Sequence, residues 1–426
     1  MKNKLLHRPF QGPDELTRTF RSARRQILLF QLLALGLVFG FTIDTLNQET
    51  LLFGVGLIVS TFVSLLFLRW VSHGEPYLVM IASMIFSIGI IMIYRIEPEL
   101  GMRQLVIYLG SLVCFFFVYF IVRAGHRLFE GHEIFYYAVT VGLFLVTLAF
   151  GLTLGGARNW ITVAGVRVQP SEFAKIPFVF FVASWYTHYE RYQTSLVMKM
   201  SLSIAVYVLL ALFMLQRELG TAAVFFVVLI ASQAAFERNR WIPFLNIALA
   251  CLGLFVAYHL FSHVRVRFDM WLNPWSDFND KGYQIIQALF AIAEGGFFGT
   301  GIGLGQPTRI PLGHSDFIFA STIEEMGLFM GICLIFLFII LLYRGFKYAM
   351  QQERDFYAAL AVCISTQFAA QALIMFAGVF KVIPLTGITV PFLTYGGSSL
   401  LSSFILLGAL QACAENFTLE VRHETK

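Results

Sequence analysis

The chain has 426 residues, of which 58% are hydrophobic and only 13% are charged, and its formal net charge at pH 7 is +5. Soluble domains carry roughly 45–50% apolar and about 25% charged residues, so this composition excludes a soluble enzyme, a nucleic-acid-binding protein and a disordered scaffold. Because one spanning helix takes about 20 apolar residues, the composition instead predicts an all-α polytopic membrane protein.

The net charge and the cysteines carry little functional information. Lys and Arg collect in the cytoplasmic loops of membrane proteins, so the positive balance does not indicate a nucleic-acid partner. The first 25 residues are polar and basic, and no small-residue cleavage site follows the first apolar run, so no cleavable signal peptide is expected. The five cysteines lie in apolar stretches without CxxC spacing, which predicts buried apolar side chains rather than a disulfide frame or a metal site.

Apolar runs of spanning length recur along the chain and predict about twelve transmembrane helices. The predicted spans lie at about residues 27–43, 51–72, 77–96, 105–124, 134–156, 176–189, 200–216, 222–236, 242–262, 328–346, 356–379 and 400–417. The run at 176–189 is short, and its helix is expected to begin near Pro170.

The distribution of basic residues predicts the orientation. With a cytoplasmic N-terminus, most Lys and Arg residues fall on the cytoplasmic side, which favours cytoplasmic N- and C-termini. Three unusual loops, 157–175, 263–327 and 380–399, then face outward. The longest contains an apolar stretch, 285–298, that is too short to span and predicts re-entrant or interfacial helices. Irregular backbone at membrane depth is tolerated where it is buried in protein or lines a cavity, so an outer cavity is expected.

The first outer loop carries a polar motif at the start of a helix. Arg158, Asn159 and Trp160 are followed by a QPSEFAK stretch. Its proline suits the first turn of a helix, and Glu172 and Lys175 are three residues apart, so they share a helix face and are expected to pair. The alternative is an ordinary helix start with an interfacial tryptophan anchor.

A second motif, QRELGT, is a charged interruption between two apolar runs. It places Arg217 and Glu218 on the outer side, near the membrane boundary. The alternative is a simple turn with a self-neutralising pair of charges.

The longest outer loop ends in an acidic motif. His314 and Asp316 precede an apolar helix that contains Glu324 and Glu325. Asp316 has the alternative of a helix N-cap, but a cap does not explain two further carboxylates. An ionised residue at mid-membrane costs about 2.5–3.5 kcal/mol on insertion scales. The glycine-rich stretch before this motif fits no dinucleotide fingerprint, and no metal-binding histidine spacing occurs, although a divalent cation bridging a carboxylate and a phosphate stays open.

The last outer loop has the pattern of a broken segment that lines a site. Two prolines and three glycines interrupt the apolar region 384–399, with an outer hairpin as the alternative. Basic residues on the outer side run against the positive-inside trend; they are Arg158, Lys175, Arg217, Arg265, Arg267, Lys281, Arg309 and Lys381. Guanidinium and ammonium groups suit phosphate, so a lipid-linked phosphate is the predicted substrate.

At these residues the sequence resembles the SEDS family (shape, elongation, division and sporulation), the bacterial RodA/FtsW type of membrane glycosyltransferase. The resemblance rests on motifs that occur in the family's order over about residues 77–417. They are the motif ending at Trp160, QPSEFAK ending at Lys175, QRELGT at 216–221, Asn273-Pro274 with GYQIIQ ending at Gln287, HSDFIFA at 314–320 with EEMG at 324–327, PLTG at 384–387 and TYGGSS at 394–399.

The resemblance implies a peptidoglycan polymerase that joins lipid II, the undecaprenyl-pyrophosphate-linked disaccharide-peptide, into glycan strands. The reaction is expected at the outer face of the bacterial cytoplasmic membrane, in cell elongation, division or sporulation. The expected partners are a class B penicillin-binding transpeptidase and other proteins of the division or elongation complex. No cofactor is implied with certainty.

The resemblance also assigns residues. Asp316 matches the family's essential aspartate and is the candidate general base of an inverting glycosyl transfer. Trp160, Glu172 and Lys175 match functional positions of the family. The other candidate substrate-binding residues are Arg158, Arg217, Glu218, His314, Glu324, Glu325 and Lys381.

Several features depart from the family pattern. Members usually have ten spans, so residues 1–76 are predicted to be a cytoplasmic N-terminus with two additional helices, 77–417 the family core and 418–426 a cytoplasmic tail. QRELGT replaces the usual QPDxGT, which keeps an acid at Glu218. A lipid II flippase or transporter, and a non-enzymatic scaffold of the cell-wall machinery, are the alternative functions.

Overall fold

The structure is a computed structural model that describes residues 13–40, 48–72, 76–154, 156–163, 165–278, 280, 282–352 and 354–424. It is built almost entirely of helices. In chain order they are α1 (Pro13–Gly40), α2 (Gln48–Val71), α3 (Tyr77–Ile96), α4 (Pro98–Ala124), α5 (His126–Phe129), α6 (Glu133–Phe150), α7 (Pro170–Thr187), α8 (Leu196–Lys199), α9 (Ser201–Gln216), α10 (Leu219–Phe236), α11 (Trp241–Leu260), α12 (Ser262–Leu272), α13 (Tyr283–Gly295), α14 (Ile318–Gln351), α15 (Asp355–Val379) and α16 (Gly397–Glu424).

Ten helices within the described ranges are long and apolar enough to cross a membrane: α1 from Phe20 onward, α2, α3, α4, α6, α10, α11, α14, α15 and α16 as far as Ala414. The two other predicted spans correspond to α7 and α9. Helix α9 is apolar but has only 16 residues, and α7 carries Glu172, Lys175 and an internal proline, Pro177. The expected class, an all-α polytopic membrane protein, is confirmed.

The centre of the bundle is formed by α3, α15 and α16. The most apolar window of α15 is 89% buried and that of α3 is 83% buried, whereas the windows of α6 and α11 are only 22% buried. A helix that is apolar all round belongs either inside a protein or in contact with lipid. The central helices lie inside the protein. The peripheral helices, with their exposed Leu, Val and Phe side chains, are suited to contact with lipid.

The first helix is tied to the bundle by a buried glutamine. Gln31 on α1 donates to Thr61 Oγ1 on α2 at 3.0 Å and to Ser87 Oγ on α3 at 2.8 Å. Polar side chains between apolar helices act as such links because lipid offers them no alternative partner. The N-terminal helix pair is therefore packed onto the rest of the bundle through specific hydrogen bonds.

Replacing Gln31 with alanine should loosen this contact. Interhelical hydrogen bonds of this kind contribute about 0.6–2 kcal/mol, so we expect the free energy of unfolding in mixed micelles to fall by about 1 kcal/mol. Leu32→Ala is the control, because Leu32 is exposed on the same helix. An equal effect of both substitutions would contradict the specific role of Gln31.

A small antiparallel sheet between α6 and α7 was not predicted. Its strands are β1 (Leu152–Leu154), β2 (Ala157–Val163) and β3 (Val166–Val168), in the order β1-β2-β3. The predicted span at 134–156 accordingly ends earlier, at Phe150. Gly156 and Gly165, each with a φ of 81°, precede β2 and β3, a conformation that glycine adopts without steric cost. The run of β-branched residues at 161–163 and the alternation Val166-Arg167-Val168 were the available signs of strands.

The long outer segment contains helices that do not span. Helix α12 has 11 residues and α13 has 13, against the roughly 20 that a span requires. The following helix, α14, is broken at Gly327, whose φ is 81°. This agrees with the expectation of short re-entrant or interfacial helices in this segment.

Candidate active site

Asp316 lies in the turns that precede α14 and does not cap the helix. The N-cap position is taken by Phe317, and no side-chain cap hydrogen bond is formed there. The N-cap alternative for Asp316 therefore does not account for this residue.

The carboxyl group of Asp316 faces the loop between α15 and α16. A methyl group added at Gly387 would lie 3.4 Å from Asp316 Oδ2, and Gly387 has a φ of 64°. Burial raises the pKa of Asp316 to about 6, and the positive charge of Arg267 acts in the opposite direction. A carboxyl group with this pKa is suited to accept a proton near neutral pH.

Arg267 interacts electrostatically with Asp316 and forms a hydrogen bond to the loop between α15 and α16. It lies on α12, and its Nη1 donates to the carbonyl oxygen of Leu385 at 2.9 Å. Burial lowers the pKa of Arg267, and the charge of Asp316 raises it. In the sequence Arg267 was one of eight outer cations and was not among the candidate site residues, because only the tertiary contact with 384–387 distinguishes it.

Glu218 is the centre of a second polar group that joins two of the predicted motifs. Its Oε1 accepts hydrogen bonds from Asn159 Nδ2, from Gln169 Nε2 at 2.7 Å and from Ser171 Oγ at 3.2 Å. Its Oε2 is buried without a hydrogen-bond partner among the described residues. Burial raises the pKa of Glu218, the three hydrogen bonds lower it, and the charge of Glu172 raises it further.

Arg217 and Glu218 do not form the self-neutralising pair that was the alternative. Arg217 adopts a left-handed conformation, with a φ of 63°, at the end of α9. Its guanidinium group is exposed and donates to the carbonyl oxygen of Gly156 at 3.4 Å, while Glu218 points into the protein. The turn therefore separates the cation from the acid.

Glu172 and Lys175 form the expected pair, but deep in the protein. Lys175 Nζ lies 2.7 Å from Glu172 Oε1, and the two residues are only 2% and 3% exposed. Glu172 also accepts from Thr389 Oγ1 at 3.4 Å and from Ser402 Oγ at 3.3 Å. The ion pair thus ties α7 to α16 and to the loop that carries Gly387, and the charge of Lys175 is balanced within the protein.

Three further candidates are held by backbone or ring contacts around the outer loops. Arg158 is exposed and donates to the carbonyl oxygens of Gly151 at 3.0 Å and Ala149 at 3.3 Å, at the end of α6. Trp160 is half-buried on β2. Lys381 Nζ donates to the carbonyl oxygen of Leu272 at 3.3 Å, which links the end of α15 to α12.

His314, two residues before Asp316, packs against the loop before α16. Its ring meets that of Tyr395 edge to face at 5.7 Å, and its carbonyl oxygen accepts from Tyr395 N at 3.0 Å. Burial lowers the pKa of His314, and the charge of Glu97 raises it. His314 therefore positions the Asp316 turn against residues 394–399.

Glu324 and Glu325 hold the glycine-rich stretch. Glu325 Oε2 accepts from the backbone N–H of Gly303 at 3.0 Å, and Glu325 Oε1 lies 3.3 Å from Arg95 Nε. Glu324 accepts from the backbone N–H of Gln306. Because Glu324 lies six residues into α14 from Ile318, at a rise of about 1.5 Å per residue, these carboxylates lie well away from Asp316 along the helix axis. Glu325 is thus paired with a cation and a backbone N–H group, whereas Glu324 Oε2 is buried without a hydrogen-bond partner among the described residues.

One glycine of this stretch is required by close packing. Gly299 has a φ of 85°, and a methyl group there would lie 2.3 Å from the carbonyl oxygen of Glu325.

Within the part of the chain that the structure describes, no group of three or more His, Cys, Asp or Glu side chains is arranged to hold a metal ion. Lys281, one of the outer cations predicted from the sequence, lies outside the described residues.

Named relatives resemble this chain over most of its length. A curated relative named peptidoglycan glycosyltransferase RodA, from Mycobacterium tuberculosis, is 32% identical over 373 residues, which cover 80% of this chain and 78% of the relative. Stage V sporulation protein E of Bacillus subtilis is 32% identical over 362 residues, covering 78% of this chain and 94% of the relative. A probable peptidoglycan glycosyltransferase FtsW of Halothiobacillus neapolitanus is 30% identical, covering 82% and 86%.

Solved structures share the fold. A chain from a peptidoglycan synthase complex, described for its coordination of polymerization and crosslinking, superposes with a TM-score of 0.67 at 23% identity and covers 81% of this chain and 98% of its own length. The rod shape determining protein RodA of Thermus thermophilus gives a TM-score of 0.60 at 23% identity, covering 81% and 97%. The family model for FtsW, RodA and SpoVE, described as cell cycle protein, matches residues 64–418. The chain belongs to the FtsW/RodA/SpoVE family.

Proposed function

We propose that the chain is a peptidoglycan glycosyltransferase that polymerises lipid II at the outer face of the bacterial cytoplasmic membrane. The observation that carries the proposal is the Asp316 carboxyl group, which is partly buried beside Gly387 and Arg267 with a pKa of about 6. The reaction is supported by a relative that is 32% identical and is named a peptidoglycan glycosyltransferase. A carboxyl group of this kind has the protonation state that general base catalysis requires near neutral pH.

In the proposed reaction the acceptor sugar hydroxyl attacks the anomeric carbon of the growing chain with inversion. The bond to undecaprenyl pyrophosphate breaks, and its electron pair leaves with the diphosphate. Asp316 takes the proton of the attacking hydroxyl, a role worth about 10²–10⁴-fold in rate. Charge develops on the leaving diphosphate, so cations placed near it stabilise the transition state.

The contacts of the outer cations favour some of them for that role over others. Lys175 is balanced by Glu172, and Arg158 is bonded to two carbonyl oxygens at the end of α6. Arg217 has a single long bond to a carbonyl oxygen, and Arg267 acts on Asp316 itself. We therefore assign the stabilisation of the leaving group to Arg217 and Arg267.

The membrane orientation and the partner are parts of the same proposal. We propose that both termini are cytoplasmic and the Asp316 turn lies outside, which the positive-inside rule favours. Residues 1–76 are the proposed N-terminal addition, 77–417 the catalytic core and 418–426 the tail. A class B penicillin-binding protein is the proposed partner, supported by the resemblance to a chain of a peptidoglycan synthase complex. The role is in cell elongation, division or sporulation.

The test is polymerisation of purified lipid II by the full chain in liposomes, with and without a cognate transpeptidase. Formation of glycan strands that depends on Asp316 is the expected result. Movement of labelled lipid II across sealed liposomes without strands would instead identify a flippase. Strand formation that needs only the partner, and that is unchanged when Asp316 is replaced, would identify a scaffold.

The rate of polymerisation should depend on pH through Asp316. A general base acts in its deprotonated form, so the rate is expected to fall as the pH drops below about 6, the pKa of this carboxyl group. Arg267 lowers that pKa, so Arg267→Gln should move the acid limb to higher pH. The measurement is the rate of strand formation at saturating lipid II from about pH 5 to pH 8. An acid limb that stays in place in Arg267→Gln would contradict the coupling.

A further inference from the structure

We infer that His263 belongs to the site, as the third member of a phosphate-binding group formed with Arg217 and Arg267. His263 and Arg267 are four residues apart on α12, so they lie on the same face of that helix. The inference rests on the proposed function, since it names the part of the substrate that this group would hold, the diphosphate of the lipid-linked sugar.

The two arginines have positive charge to offer to a ligand. Arg267 Nη1 is bonded to the neutral carbonyl oxygen of Leu385, and Arg217 Nη1 to that of Gly156. Within the described ranges neither guanidinium group forms an ion pair with a carboxylate, although the charge of Asp316 acts on Arg267. A diphosphate presents several acceptor oxygens that guanidinium groups bind in a forked geometry.

The imidazole of His263 lies in the field of both arginines and lacks a partner of its own. Its Nε2 is buried, and no described residue forms a hydrogen bond with it. A buried polar atom without a partner is costly unless a ligand or water satisfies it. Burial lowers the pKa of His263, and the charges of Arg217, from the turn between α9 and α10, and of Arg267, from α12 itself, lower it further.

A bound diphosphate would reverse the electrostatic part of this shift. Its negative charge offsets Arg217 and Arg267, so the pKa of His263 is higher in the bound state than in the free state. The added affinity is then fully present below the free-state pKa and is lost as the pH rises through the bound-state pKa. When protonated, His263 gives the ligand one further charged donor.

The same geometry gives the group a place in the reaction. Arg267 contacts the loop that carries Gly387, and Gly387 lies against Asp316. A diphosphate bound between Arg217, His263 and Arg267 would thus place the bond to the anomeric carbon next to the proposed base. Holding the reacting groups close together in this way lowers the activation free energy of the transfer.

The experiment measures binding of lipid II to the full chain in zwitterionic nanodiscs. The parent carries Asp316→Asn, which stops turnover and removes the titration of that carboxyl group. We expect the parent to bind more tightly at about pH 6 than at about pH 8, and His263→Gln to weaken binding about tenfold at the lower pH and to reduce the pH dependence. Glu218 is present in both proteins, so the difference between them reports His263.

Three further variants separate a binding role from a structural one. His259→Gln is the matched control, because His259 is exposed in the last turn of the preceding helix, α11. His263→Lys should keep tight binding at both pH values, because its positive charge persists. Arg217→Gln should weaken binding but move the pH dependence to higher pH, because a charge that lowers the pKa of His263 is removed. A purely structural histidine would produce neither of the last two results.

Two results would overturn the inference. The first is binding by His263→Gln with the affinity and pH dependence of His259→Gln. The second is a His263-dependent site that phosphatidylglycerol fills at the expense of lipid II, which would make it a site for membrane phospholipid. If the chain with Asp316 intact still forms strands, either result leaves the proposed function standing. A chain that neither forms strands nor binds lipid II would contradict the proposed function itself.

Discussion

Replacing Asp316 with asparagine is expected to reduce the polymerisation of lipid II by about 10²–10⁴-fold, because the amide cannot accept the proton of the attacking hydroxyl. The substitution keeps the size of the side chain beside Gly387, so the protein should insert and fold as before. The amide also removes the need to hold a charged carboxyl group in a partly buried position, and the free energy of unfolding should not fall. The measurement is the rate of glycan strand formation by the purified full chain.

Asp269→Asn is the matched control for this experiment. Asp269 is an exposed residue of α12, on the same helix as Arg267, and its replacement makes the same chemical change outside the site. It should leave the rate of strand formation unchanged. Retained polymerisation in Asp316→Asn would contradict the role of Asp316 as general base.

Removing one member of the Glu172–Lys175 pair is expected to have the largest effect on stability. Breaking a buried ion pair leaves an uncompensated charge and costs about 3–5 kcal/mol. Because Lys175 is only 2% exposed, Glu172→Leu should lower the free energy of unfolding by an amount in this range. Polymerisation should fall as well, because Glu172 is bonded to Thr389 in the loop of Gly387. The measurement is denaturant unfolding in mixed micelles.

The double variant and a surface pair sharpen this prediction. Glu172→Leu combined with Lys175→Met should be less destabilised than either single variant, because no unpaired charge is left in the protein. The control pair is Glu99–Arg103, whose side chains are 71% and 62% exposed, and Glu99→Leu there should cost about 0–1 kcal/mol. A double variant that is destabilised by the sum of the two single effects would show that the pair does not act as a unit.

The sequence predicted the membrane class from its composition and the position of the long helices from the order of its residues, because each apolar run of spanning length is visible along the chain. Asp316 was singled out by the resemblance of the HSDFIFA motif to the family, since the local pattern alone also allowed a helix N-cap. The sequence did not predict the sheet between α6 and α7, because β1 and β3 have only three residues each. Strands of that length depend on their neighbours for stability.

The partner of each charged side chain was decided by the tertiary structure. In the sequence, Lys175 and Arg267 are both outer cations, but one is neutralised by Glu172 and the other is bonded to a loop carbonyl oxygen beside Asp316. Likewise Glu325 is an acid in an apolar helix whose partners, Gly303 and Arg95, lie far away in the chain.

By itself, then, the sequence determined a polytopic helical membrane protein and singled out a smaller set of charges in three long loops. Periodicity and hydropathy are local properties of a single segment, and they were sufficient to predict the membrane helices. Only the tertiary structure bonded Arg267 to the loop beside Asp316 and turned Glu324 and Glu325 to the glycine-rich stretch. Such assignments depend on which distant segment supplies the hydrogen-bond partner, and no local pattern carries that information.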